Sequence, residues 1–171
     1  MTDAERNMYK AIRDYIDSLI MPSQAQPSSE TAISFLTRHI GTKEYDGIVA
    51  DIQTWYYGHL VKAPWCATCA SYVLFHVYNY NCKYENVYHL NNWAKKTLMQ
   101  VMDISDAKEN DLVIISYETP LAVTSRKHAT FYTGKRDASG NYLCLGGNQS
   151  DSIRISAYSP SDIYAVYQPY K

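Results

Sequence analysis

The stretch APWCATCASYVLFHV, residues 63 to 77, carries a Trp-Cys-x-x-Cys whose reading decides what the rest of the chain folds around. Taken as a helix from Pro64, it places Cys66, Cys69, Ala70, Val73, Leu74 and Val77 on one stripe that faces a core. Three chemistries fit the two cysteines. A redox pair needs a buried β-strand leading into the motif. The preceding WYYGHLVKAP shows no strand alternation and ends on proline, which argues against it. A zinc site would draw on Cys66, Cys69 and Cys82 with His76 or His89, but a core-facing stripe makes Cys69 a small buried side chain instead. The third reading is a nucleophile. Pro64 suits a first helical turn, so Cys66 sits at the positive end of the helix, where unpaired N–H groups favour thiolate and can donate to an oxyanion. From the helix alone, this reading and a plain buried cysteine stand equal.

Outward from that helix, the first hundred residues carry helical periodicity. Residues 4 to 20 place Met8, Ile12, Ile16, Leu19 and Ile20 on one face with Arg13, Asp14 and Asp17 elsewhere. MPSQAQPSSE then breaks the pattern, so residues 1–27 read as an N-terminal helix and linker and 28–171 as one domain. Ser29 is the expected cap of a helix bearing Ile33, Leu36 and Ile40. Another helix spans Tyr45 to Tyr57 with Ile48, Ile52 and Trp55 inward, and HLNNWAKKTLMQ forms one with Leu90, Trp93, Ala94 and Leu98 as its stripe. After that the period becomes strand-like, in DLVIIS, HATFYTG, NYLCLGG and SDIYAVYQP. Helices followed by strands predict an α+β domain, an antiparallel sheet with helices packed on one side.

Composition narrows the function classes. A chain of 171 residues that is 46% hydrophobic can bury one core, and a net charge of -1 offers no basic surface for nucleic acid. The opening MTDAERNMYK is acidic and lacks an apolar run, so no signal peptide or membrane span is expected. The expectation is a soluble monomer made in the cytoplasm. Four irregularly spaced cysteines read as free thiols. The 17 tyrosines include Tyr56, Tyr57, Tyr72 and Tyr132, which suit either a substrate groove or the core.

A thiol nucleophile needs an imidazole. His39, His59, His76 and His89 fall on helical segments or their ends, whereas His128 opens the strand HATFYTG. If KRDASGN is a hairpin connection centred on Ala138, paired residue numbers sum to about 276 and His128 faces Asn148. Asn148 would then accept a hydrogen bond from the ring and fix its tautomer, with Gly146 and Gly147 admitting close backbone approach. A half-residue shift of the centre moves the partner to Gly147 or Gln149.

Cysteine on a helix N-terminus with histidine and asparagine on adjacent strands has the roles of a papain-like triad. APWCATCASYV, DLVIIS, KHATFYTG and YLCLGGNQSDSIRISAYS together resemble the CHAP and NlpC-like cell-wall peptidases and amidases, above all the compact form common in bacteriophages. The likeness runs from about residue 30 to the C-terminus and is most specific at Gly-Gly-Asn-Gln. It implies a papain-like fold with Cys66 as nucleophile, His128 as general base and acid, and Asn148 as orienting residue. Trp65 beside the nucleophile, Tyr57 and Gln149 are the expected substrate contacts, without metal or cofactor. The implied substrate is peptidoglycan, cut in its peptide or at the muramoyl-alanine amide. Phage lysis through a holin-made membrane hole is the first setting; a virion enzyme, or a secreted toxin with a cognate inhibitor, uses the same domain. A non-catalytic module of the same fold and a thiol oxidoreductase are the alternatives. The chain departs from the pattern at Glu109-Asn110-Asp111, where glycine usually precedes the aspartate, at Ala129-Thr130 in place of Val-Gly, and at Cys69 in place of an aromatic residue.

Overall fold

The computed structural model describes residues 30–170; the expected amphipathic helix, its linker and the Ser29 cap lie outside them. Helix α1 covers Ala32–Thr37. Its cap is Thr31, whose Oγ1 accepts the Ser34 N–H at 3.2 Å while Ser34 Oγ accepts the Thr31 N–H at 2.9 Å. The helix stops well short of Ile40, which is 48% exposed. Tight turns through His39 and Ile40 close the helix, and Gly41, at φ 91, sends its N–H to the Ile153 carbonyl instead.

Helix α2, Gly47–Tyr57, ends on Gly58 in the left-handed conformation. Its inward residues are Val49, Ile52 and Gln53, so of the three expected only Ile52 is fully buried. Helix α3, Cys66–His76, buries the stripe read from the sequence, with Cys66 as its first residue and Trp65 as its cap. Pro64 therefore precedes the helix instead of sitting in its first turn. Helix α4, Val87–Thr97, starts behind Asn86, whose Oδ1 accepts the Tyr88 N–H at 2.8 Å. It ends earlier than its apolar stripe suggests, because Met99 and Gln100 pair with Gln168 and Tyr167 and become a strand.

Six antiparallel strands follow: β1 (Met99–Val101), β2 (Leu112–Ser116), β3 (Lys127–Arg136), β4 (Tyr142–Gly146), β5 (Arg154–Tyr158) and β6 (Ile163–Gln168), in the order β1-β6-β2-β3-β4-β5. The protein is thus α+β. Period-2 alternation separates two apolar faces. Leu112, Ile114, Ala129, Phe131 and Leu145 pack with buried residues of all four helices. Val113, Ile115, Tyr132, Tyr142, Cys144 and Val166 form a second cluster with no residue from those helices. Tyr132, expected as a groove tyrosine, belongs to that second core.

The turn into β2 explains one departure from the family pattern. Asn110 adopts φ 77, the conformation that glycine would take most easily, and its Oδ1 accepts the Ile33 N–H at 2.9 Å. Asparagine here keeps the turn and ties it to α1. Among the described residues no helix is long and apolar enough to cross a membrane.

Candidate active site

Cys66 combines two opposed influences. It is 6% exposed, and burial pushes its thiol above the ordinary value near 9. Against this act the backbone N–H groups of Ala129, Ala67 and Cys66 itself, and the Lys127 charge. Two of those N–H groups belong to the start of α3, where the backbone donors have no helical partner. The third comes from β3, one residue after His128. Burial is the largest influence, so the thiol rests protonated.

His128 is the second residue of β3. Burial drives its imidazole down to about 4, with the Gln149 side chain pulling the other way. Its Nε2 is buried and has no hydrogen-bond partner. No hydrogen bond joins imidazole to thiol among the described residues. The pleat gives the reason: Ala129 and Phe131 face the helices, and His128 has the parity of Tyr132 on the other face. Cys66 therefore meets the histidine strand through its backbone.

Register brings a correction to the third residue. Phe131 pairs with Leu145 and Tyr132 with Cys144, so both pairs sum to the expected 276. Strand β4 nevertheless ends at Gly146, and Asn148 lies beyond it at φ 60 in a bend that also holds Ser150 and Asp151 at positive φ. There the pairing rule no longer applies. Asn148 makes no hydrogen bond with a described residue, whereas Gln149 is the side chain that supports protonated His128.

Trp65 and Gln149 are not placed to touch a substrate. Trp65 is fully buried and its ring lies under Gly147, where an added Cβ would come within 2.2 Å of Cζ3. A Cβ added at Gly146 would come within 2.6 Å of Thr130 Oγ1. Gly147 thus admits side chains, whereas Gly146 admits both the side chain and the backbone of Thr130. Gln149 is 5% exposed, with its Nε2 donating to backbone carbonyls and its Oε1 accepting from the Tyr158 hydroxyl. Tyr57 is half-buried and remains in the neighbourhood; burial first raises its hydroxyl, which also feels Thr68, Glu85 and Cys66.

Sequence reasoning missed Tyr158 and the Ala129 N–H. Tyr158 ends β5 and stacks on His128 with centroids 5.9 Å apart and planes at 23°. Continuing the hairpin reading past Gly146 would have found it, since IRISAY returns along β4.

No protein-family model, curated protein or solved structure matches the chain. Among the described residues no group of three or more His, Cys, Asp or Glu side chains converges as a metal site, and all four cysteines are free thiols. An open depression of about 670 Å³ lies along β1, between Met99 and Lys108, at the far end of the sheet order from β5. It takes no part in the Cys66 neighbourhood.

The resting pair is therefore thiol and neutral imidazole, not the thiolate expected from a helix N-terminus. The prediction is kinetic. Iodoacetamide should label Cys66 slowly at pH 7, with a rate that rises about tenfold per pH unit below the raised thiol value. Peptide mass spectrometry across pH 5 to 10 measures this; a plateau from pH 5 to 8 would show a preformed thiolate.

Proposed function

We propose that the protein is a papain-like cysteine hydrolase of the CHAP/NlpC type, cleaving an amide bond in the peptide of bacterial peptidoglycan. One observation carries this reading: the Cys66 sulfur lies within reach of helix-start N–H groups and of the Ala129 N–H next to His128. Fixed donors around a nucleophile are what a developing thiolate and oxyanion need. Phage lysis assisted by a holin is the setting that the resemblance favours.

The mechanism starts from the neutral pair. As Sγ attacks the scissile carbonyl, its proton passes to His128 Nε2, which has no existing bond to break. The oxyanion draws on the N–H of Cys66, and the imidazolium returns the proton to the leaving amine. Water, deprotonated by the same ring, then releases the thioester. This sequence requires the imidazole to close onto the thiol. His128 pairs with Ile115 of β2 and precedes the first β4 pair at Phe131, so the β4 ladder does not hold it.

The test is mass spectrometry of fragments released from purified sacculi by the wild-type protein beside Cys66→Ala. Cys66-dependent fragments with new peptide termini are expected, and those termini name the bond. Absence of fragments across several wall chemistries, with folded and reduced protein, overturns the proposal. The 6% exposure of Cys66 and the missing thiol–imidazole bond favour, as a second reading, a wall-binding module without turnover. Under that reading Cys66→Ala sediments with sacculi as well as wild type does, and neither protein cuts them.

A further inference from the structure

Tyr158 ties its hydroxyl to the side chain that bears on His128. Tyr142, its partner across the β4–β5 ladder, donates to the Ile104 backbone carbonyl at 2.6 Å. Tyr158 instead donates to Gln149 Oε1 at 2.6 Å while its ring stacks on His128. The Gln149 Nε2 faces three carbonyls, those of Cys144 at 3.4 Å, Gly146 at 3.3 Å and Arg154. An amide nitrogen among carbonyls fixes the orientation of the group, so the carbonyl oxygen is the end left for Tyr158 and the imidazole.

A carbonyl oxygen only accepts. It holds a proton on the ring nitrogen that faces it and leaves the other nitrogen with a lone pair. Nε2 is buried without a hydrogen-bond partner, and the Gln149 side chain is the polar group that bears on the ring. A glutamine side chain has three rotatable bonds, and one hydrogen bond to a ring would not select this arrangement alone. Tyr158 supplies the donor that completes it.

We propose that Tyr158 is a positioning residue for His128: its hydroxyl locks the Gln149 carbonyl against the imidazole, fixing the tautomer that leaves Nε2 free, and its ring holds the imidazole plane. This rests on His128 acting as the base, but its closing test reads the ring directly. Protein labelled with 15N-histidine is observed at pH 7, where burial keeps His128 neutral. Wild type should show one tautomer, protonated at Nδ1. Tyr158→Phe keeps the stacked ring and removes only the hydroxyl, and it should show exchange between both tautomers. Gln149→Ala should show the same change, and the double variant no further change, because both act through one contact. Tyr142→Phe, which loses a hydroxyl bonded to Ile104 and Arg136 instead, should leave the His128 signals as in wild type.

Hydrolysis of sacculi supplies the second readout, with kcat/KM about tenfold lower for Tyr158→Phe and KM unchanged. A single unchanged tautomer in Tyr158→Phe while Gln149→Ala mixes both would overturn the proposal, as would additive effects in the double variant. A wild-type protein that turns nothing over refutes the hydrolase reading alone, since the tautomer measurement still decides the role of Tyr158.

Discussion

Gln149→Ala is expected to lower kcat/KM on wall peptide roughly 100-fold, whereas Asn148→Gly should stay within about threefold of wild type. The contrast follows from the bend after β4. Asn148 sits at φ 60 with no hydrogen bond to a described residue, so glycine keeps the conformation and removes nothing that the imidazole uses. Gln149 is the side chain that favours protonated His128, and the mechanism passes through that charged form. Losing it leaves a ring that burial already drives down to about 4 without its compensating contact. Steady-state kinetics on a defined muropeptide measure both variants. Equal losses would restore Asn148 as the orienting residue; no loss in Gln149→Ala would remove the third member of the site.

Of the glycine-to-alanine changes, Gly147→Ala should be the most disruptive. Its Cβ would stand 2.2 Å from Trp65 Cζ3 and 2.8 Å from Cys69 Cβ, far inside van der Waals contact. Trp65 is fully buried and cannot swing into solvent. Overpacking of this severity destabilises by about 3 kcal/mol or more, a lowering of the melting temperature by roughly 10 °C in a chain of this size. Calorimetry reads the loss, and near-ultraviolet circular dichroism should change with the packing around Trp65. Gly146→Ala is the control: its clash is with Thr130 Oγ1, which has no hydrogen-bond partner, so adding Thr130→Ala should recover much of the stability. A Gly147→Ala protein as stable as wild type would mean that β4 and α3 do not pack as described.

How far the sequence could be read depended on what each residue had to satisfy. The α3 stripe was legible because Cys69, Ala70, Val73 and Leu74 all bury against one core, so their spacing is set by helical geometry alone. The β3–β4 register was legible for the same reason, down to the sum of paired numbers at Phe131 and Tyr132. Where the ladder stops, counting stops working. Asn148 was one residue from the partner that the structure provides, because positive φ at three nearby residues redirects the chain after Gly146.

Two strands escaped for opposite reasons. β1 has only three residues, and Met99 and Gln100 follow the α4 stripe directly, so they read as the end of that helix. β5 buries little on either face, so RISAY shows no apolar alternation to find. Trp65 was expected to contact substrate, but it is fully buried, and which neighbour its ring meets depends on Gly147, far along the chain. Such a contact has no local signature.

The Cys66–Ala129 contact also sets an order in time. α3 emerges from the ribosome before β3 has been synthesised, so the nascent thiol has neither the strand donor nor an imidazole beside it. Whatever chemistry Cys66 performs begins only when the second half of the chain has folded back. On the proposed mechanism, a translation product that stops before Lys127 carries Cys66 and remains inert.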